Sequence, residues 1–242
     1  MGRDLLVRRS GDGLDLALGR SIVVVGKPPE PGRTKSRLVP PLSFEEAADL
    51  YRAFLQDTVE TVLGLGWEDA ALVHPATDGA TSELRALLPR EIRLQPQAGE
   101  GLGPALAGAF SSQFEAGYAR VVLIGSDTPT LPPERIEAAS RALRTHDLVI
   151  GPSADGGYYL IGMTGFHPGL FDRIDWSTAL VFEQTMEHAR ELHLRTHVLF
   201  EWYDVDTRQE LCRLREHLRV LPPNVAAATR TVLARLNLGD RS

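Results

Sequence analysis

Two uninterrupted aliphatic runs, at residues 22–25 and 121–125, constrain this chain most. A run without polar alternation suits a strand covered on both faces, as in a parallel sheet. Between the two lie amphipathic segments. Ser43 followed by Glu46 reads as a capping box. After it, Phe44, Ala47, Ala48, Tyr51, Phe54, Leu55, Thr58, Val59 and Val62 recur at spacings of three and four. That periodicity predicts a helix ending near Gly64 and Gly66. The alternation continues with strands at 70–74, 92–95 and 148–151 and helices at 81–88, 104–117 and 132–144. Strands separated by helices imply right-handed crossovers and a mostly parallel sheet.

After Gly151 the rhythm changes. The turn Asp155-Gly156-Gly157 leads straight into a strand at 158–162, so one antiparallel strand is expected. A helix at 178–192, a strand at 196–203, a helix at 207–218 and a last helix from Pro222-Pro223 to about 236 complete the reading. The expected fold class is α/β, a mostly parallel Rossmann-like sheet with one antiparallel strand and helices on both faces. Residues 1–20 read as an arm and 21–242 as one domain, because no linker or repeat divides them.

Composition narrows the partners. Twenty-six Lys and Arg against thirty-two Asp and Glu leave a net charge of −6 over 242 residues. Dedicated nucleic-acid binders usually carry a basic excess, so a long nucleic acid is not expected. Cys212 is the single cysteine, which excludes an internal disulfide and a thiolate metal cluster. The first twenty residues are too charged for a signal peptide, and no apolar run is long enough to span a membrane. A reducing cytoplasm is the expected setting.

In an open parallel sheet, ligands bind beyond the carboxyl ends of the strands. The loop after residue 25 holds Lys27, Arg33, Lys35 and Arg37 within eleven residues, with Gly26 and Gly32. Glycines admit the phosphate and cationic heads hold it. The spacing is not that of a Walker A loop, and a solvated basic loop is the plainer alternative. GEGLG at 99–103 places Gly101 and Gly103 at a helix entry that could receive an anion or a base, or simply turn. It departs from G-x-G-x-x-G, because Leu106 stands in the third glycine's place. Ser126-Asp127 follows a buried strand, where an aspartate can hold Mg²⁺ beside a bound phosphate or merely cap the turn. Asp204 and Asp206, at the end of the last strand, could supply a second carboxylate, and Asp206-Thr207 could equally cap the next helix. Asp155, Gly156, Gly157 and Tyr158 suit a hydroxylated acceptor or a β-turn with core tyrosines, and Trp176 either lines the same pocket or packs. His188, His193 and His197 lack ligand spacing, and Ser126 has no G-x-S-x-G elbow, so hydrolase chemistry is not expected.

Taken in order, GKPPEPGRTKSRL, GEGLG, VLIGSDTPTLP, GPSADGGYYLIG, Trp176-Ser177-Thr178 and WYDVDT are more specific than any one alone. Over residues 21–218 they resemble the DUF2064 family of glycosyltransferase A-fold proteins, which are nucleotide-diphospho-sugar transferase-like, some named for arsenosugar biosynthesis. The first loop also looks like that of 2-phospho-L-lactate guanylyltransferases, which share its Lys-Ser-Arg-Leu ending. Molybdenum-cofactor guanylyltransferases are more distant relatives of the same fold. The resemblance implies a nucleotide site at Gly26, Lys27, Gly32, Arg33, Lys35, Arg37, Gly101, Gly103, Ser126 and Asp127. It implies Mg²⁺ or Mn²⁺ on Asp127 and Asp206, with Asp204 as the fallback, and catalysis by Lys27, Lys35, Arg37 and Asp127. One departure stands out. Sugar transferases of this fold often carry Asp-x-Asp at the metal turn, whereas this chain has Ser126-Asp127-Thr128. The expectation is glycosyl transfer from a nucleotide sugar to a small acceptor. Nucleotidyl transfer from a triphosphate to a phosphorylated small molecule is the alternative, and a non-catalytic nucleotide-binding module the third.

Overall fold

In the computed structural model, residues 19–236 are described. The arm expected at 1–20 lies almost wholly outside them, and Arg20 already belongs to the first strand. Seven strands form one sheet: Arg20–Val25 (β1), Asp69–His74 (β2), Arg93–Pro96 (β3), Arg120–Gly125 (β4), Leu148–Pro152 (β5), Tyr158–Met163 (β6) and Thr196–Val198 (β7). Their order is β3-β2-β1-β4-β6-β5-β7. All pairings are parallel except those of β6, which runs antiparallel to both β4 and β5. The reason is local. Asp155-Gly156-Gly157 turns β5 directly into β6, and a strand that returns without a crossover can only pair antiparallel.

Seven α-helices are described: Phe44–Gly64 (α1), Ala80–Leu87 (α2), Leu102–Glu115 (α3), Pro133–Ala142 (α4), Val181–Glu191 (α5), Arg208–Val220 (α6) and Ala227–Arg235 (α7). None is long and apolar enough to cross a membrane. The Ser43–Glu46 capping box is formed. Side chains alternate across each strand, so one strand feeds two cores. Ile22 and Val24 pack with Leu55 and Val59 of α1 and Ile136 of α4. Val23 packs on the opposite face with Leu106 and Phe110 of α3. A third cluster joins α1 to α6 through Tyr51, Phe54, Tyr203, Val205 and Leu214.

The last strand is shorter than the expected 196–203. β7 stops at Val198, and pairing resumes only at a bridge between Ser153 and Trp202. Leu199 N still donates to the Ile150 carbonyl (2.9 Å), but the next donor on β5 would be Pro152, which has no N–H. Trp202 N–H reaches the Pro152 carbonyl instead, while Phe200 is left 87% exposed. Helix α5 also starts late, at Val181, because Ser177 takes a left-handed backbone (φ 65°) within the turn that precedes it.

Buried Asp57 of α1 accepts hydrogen bonds from Ala228 N (2.9 Å) and Thr229 N (2.8 Å). It therefore caps α7 from outside, since Ala226 at that helix start has no capping side chain. Strand order turns outward in opposite directions from β1 and β4, so a crevice opens beyond Val25 and Gly125.

Candidate active site

Buried Tyr51 on α1 ties together the two loops that flank this crevice. Its hydroxyl lies 2.8 Å from Ser126 Oγ, in the loop after β4. Lys27 N donates to the same hydroxyl at 3.1 Å, from the loop after β1. Burial, and next the Asp127 charge, push the tyrosine up to about 12, so it works as a neutral hydroxyl. Gly26 packs closely: a Cβ on it would lie 3.0 Å from Cδ1 of fully buried Leu55, which would have to shift to admit it.

The basic loop is built rather than loose. Thr34 is buried, and its hydroxyl accepts from Glu30 N at 3.1 Å. Lys27 Nζ donates to the Arg33 carbonyl at 3.1 Å. Lys35 takes a left-handed backbone (φ 52°) ahead of a 3-10 turn at Ser36–Leu38, which is pinned by fully buried Leu38. This geometry turns the Lys35 side chain inward, across the rings of Tyr51 and Phe54.

The Lys35 ammonium meets two carboxylates. Nζ lies 2.7 Å from Asp127 Oδ1 and 2.6 Å from Asp206 Oδ1. Burial alone would lower this lysine's pKa, but Asp127 and Asp206 more than offset it and raise it, so the group stays charged. Some eighty residues separate the two acids in sequence. A backbone bond from Val205 N to the Asp127 carbonyl (3.0 Å) brings them together. The far side is held by Glu210, which accepts from Asp206 N (2.8 Å) and Thr207 N (2.7 Å) as part of a Thr207–Glu210 capping box. Thr207, not Asp206, is the cap. Asp204 takes a different partner, the Ser153 hydroxyl. Burial, then the charges of Asp155 and Asp206, push it up to about 6 against the pull of that hydroxyl.

The crevice has two lobes that share this charged junction. The larger, of about 720 Å³, is lined by Arg33, Arg37, Asp155, Tyr158, Trp176 and Asp204. The smaller, of about 480 Å³, is lined by Gly26, Tyr51, Pro75, Gln97, Gly101 and Ser126. Lys27, Lys35, Leu102, Asp127 and Asp206 line both. Volumes of this size suit small molecules.

Three of the expected glycines line neither lobe. Gly32 (φ 78°) forms the outer turn of the basic loop, with nothing within 4 Å of where a Cβ would stand. Gly103 seats the indole of Trp176, because a Cβ there would lie 2.5 Å from Nε1. Gly156 (φ 90°) lets residue 179 pass, since a Cβ would stand 2.3 Å from the Ala179 carbonyl oxygen. Tyr158 is half-buried at the wall of the larger lobe with its hydroxyl shut away from solvent, and that burial raises the hydroxyl above the usual range. Tyr51, Thr34, Ser153 and Glu210 belong to the site without being among the residues the sequence motifs point to. Only Glu210 had a signal, the Thr-x-x-Glu pattern at 207–210; Tyr51 reads as one more apolar position of its helix.

Among the described residues no three Asp, Glu, His or Cys side chains gather as a metal-ligand group. Asp127 and Asp206 nevertheless offer hard carboxylate oxygens on either side of one point, which the Lys35 ammonium holds here. Oxygens of this type are ones Mg²⁺ or Mn²⁺ accepts, ions that complete their shells with phosphate oxygens and water.

Comparison with known proteins places this chain in a family. A family model described as "Uncharacterized protein conserved in bacteria (DUF2064)" matches residues 58–178. A crystal structure from Desulfovibrio desulfuricans, provisionally described as a nucleotide-diphospho-sugar transferase, is 35% identical with a TM-score of 0.82. That match covers 89% of this chain and 95% of the other. A 3-phospho-D-glycerate guanylyltransferase from Phenylobacterium zucineum is 36% identical over 132 residues, which is 53% of this chain and 60% of the relative's length. A 2-phospho-L-lactate guanylyltransferase from Methanocaldococcus jannaschii is 26% identical over 187 residues, 76% of this chain and 77% of the relative. These relatives are transferases, and the chain has the fold of the nucleotide-diphospho-sugar transferases.

Proposed function

We propose that this chain, which belongs to the DUF2064 family, is a nucleotidyltransferase that joins a nucleoside monophosphate from a triphosphate to a small phosphorylated acceptor. The observation that carries this reading is the charged junction common to both lobes, where Lys35, Asp127 and Asp206 meet and which Lys27 also lines. A donor in the smaller lobe and an acceptor in the larger one would place their phosphates at that junction. The single aspartate after β4 and the two guanylyltransferase relatives favour nucleotidyl over glycosyl transfer, and make GTP the first donor to test.

In this mechanism an oxygen of the acceptor phosphate attacks the α-phosphorus. A new phosphorus–oxygen bond forms, the bond to the bridging oxygen of the β-phosphate breaks, and pyrophosphate leaves with the electron pair. An acceptor phosphate is already anionic near neutral pH, so no protein base is needed at the junction. Lys27 and Lys35 offset charge on the donor, and Arg33 and Arg37 face the larger lobe to hold an acceptor phosphate. Asp127 and Asp206 are the residues that would hold a divalent cation, which when bound would add to the neutralisation of the triphosphate. The remaining rate comes from fixing two anions in line, which the built loop and the Tyr51 tie favour.

A second reading, glycosyl transfer from a nucleotide sugar, is supported by the description of the Desulfovibrio relative and by Asp155 and Trp176 on the larger lobe. The two separate by their leaving groups. Pyrophosphate released from GTP with a phosphorylated hydroxy acid supports the first. Nucleoside diphosphate released from a nucleotide sugar, with no pyrophosphate under any acceptor tried, overturns it.

A further inference from the structure

The carboxylates suited to a divalent cation already hold a cation of the chain's own. We propose that Lys35 is a built-in counter-cation that makes metal loading of the Asp127–Asp206 pair conditional on the nucleotide. The inference rests on the nucleotide reading above and adds an order of binding to it.

The Lys35 side chain is 4% exposed, whereas those of Asp127 and Asp206 are 39% and 35% exposed. An incoming ion therefore meets the acids from the solvent side, with the ammonium fixed behind them. Lys35 has little room to withdraw. Its Nζ lies 5.8 Å from the centre of the Tyr51 ring and 5.9 Å from that of Phe54, and its backbone is locked into the turn ahead of Leu38. Two carboxylates and one ammonium carry a net charge of −1, a weak counterpart for a divalent ion. Repulsion between the ammonium and a divalent ion is twice that between unit charges at the same distance, and salt screens a buried group poorly. A bound triphosphate reverses the balance. Its oxygens add anionic ligands for the metal and give Lys35 and Lys27 new partners. Cation and nucleotide then favour each other's binding, and the coupling is reciprocal.

The experiment is Mn²⁺ binding followed by the free-ion EPR signal, without nucleotide, near pH 8 where carboxylates are ionised. It compares the full chain with Lys35→Met, Lys35→Gln and Lys35→Arg. The neutral variants are expected to bind Mn²⁺ at least about tenfold more tightly than the parent. Lys35→Arg, which keeps the charge, is expected to stay weak, and Asp127→Asn in the Lys35→Met background to lose the gain. Equal or weaker Mn²⁺ binding in the neutral variants overturns the inference, as does no binding in any. The parent chain gives an independent check if a neutral variant does not fold. Its melting temperature should rise with Mn²⁺ and GTP together but barely with Mn²⁺ alone; a full rise with Mn²⁺ alone overturns the proposal. Pyrophosphate release by the parent tests the nucleotidyl reading separately, so the two can fail independently.

Discussion

Replacing Tyr51 with phenylalanine tests whether one hydroxyl couples the two phosphate-side loops. The ring stays, so no cavity opens, and only the oxygen that joins Ser126 Oγ (2.8 Å) and Lys27 N (3.1 Å) is lost. Ser126 is 3% exposed, so its hydroxyl would lose a partner that water cannot easily replace. Stranding a buried polar group costs about 1–3 kcal/mol, and the Lys27 bond adds about 0.5–1.5 kcal/mol where water does not substitute. A loss of about 2 kcal/mol is expected. For a chain of this length each kcal/mol shifts the melting temperature by about 2–4 °C, so Tyr51→Phe should melt about 4–8 °C lower. Calorimetry or dye-monitored melting measures this directly. Because Lys27 then loses its backbone anchor, the KM for the nucleotide should also rise, with kcat less affected. An unchanged melting temperature would refute the hydrogen-bond argument. A lower one with unchanged nucleotide KM would refute the coupling of this tie to the site.

Asp57→Ala should destabilise the chain by about 2–4 kcal/mol, because two charge-assisted bonds to the start of α7 are lost; urea unfolding with an unchanged m-value checks it. Gly103→Ala should displace Trp176, since 2.5 Å to Nε1 is well inside van der Waals contact. Overpacking of this kind costs about 1–3 kcal/mol. The expected signature is a shifted tryptophan emission and a raised acceptor KM with little change in donor KM. Hydrogen bonds from Arg195 hold Asp147 down at about 2 from its ordinary 3.8. Its contribution is therefore complete above the ordinary aspartate range and is lost as pH falls towards 2. Asp147→Asn should flatten that part of the acid unfolding curve, by less than about 1 kcal/mol because the pair is exposed.

The parts of the architecture that depend on local physics were legible in sequence. Residues 22–25 and 121–125 became adjacent strands at the centre of the sheet because only a doubly covered strand suits so apolar a run. Ser43 and Glu46 began a helix because the capping chemistry lies within four residues. The single antiparallel strand followed from Asp155-Gly156-Gly157, which leaves no length for a crossover. Features that depend on what meets what across the fold were not legible. Gly101 and Gly103 look alike in GEGLG, yet one lines the smaller lobe and the other seats an indole over seventy residues away. Tyr51 has the spacing of a core residue and is one, but its hydroxyl reaches the site. Strand 196–203 has the right composition but breaks early because its neighbour β5 ends in Pro152, which lacks the next N–H donor. Net charge concealed the site as well, since −6 overall coexists with four cations in eleven residues.

Both substrates are expected to bring phosphates to the junction of Lys35, Asp127 and Asp206 that Lys27 also lines. Mass spectrometry of the products from GTP, Mg²⁺ and a panel of phosphorylated hydroxy acids reads this out. The expected result is a product carrying guanosine monophosphate on the acceptor phosphate, equimolar pyrophosphate, and loss of both in Asp127→Asn. Transfer of a sugar from a nucleotide sugar with release of nucleoside diphosphate, or a guanylylated product undiminished in Asp127→Asn, would contradict it.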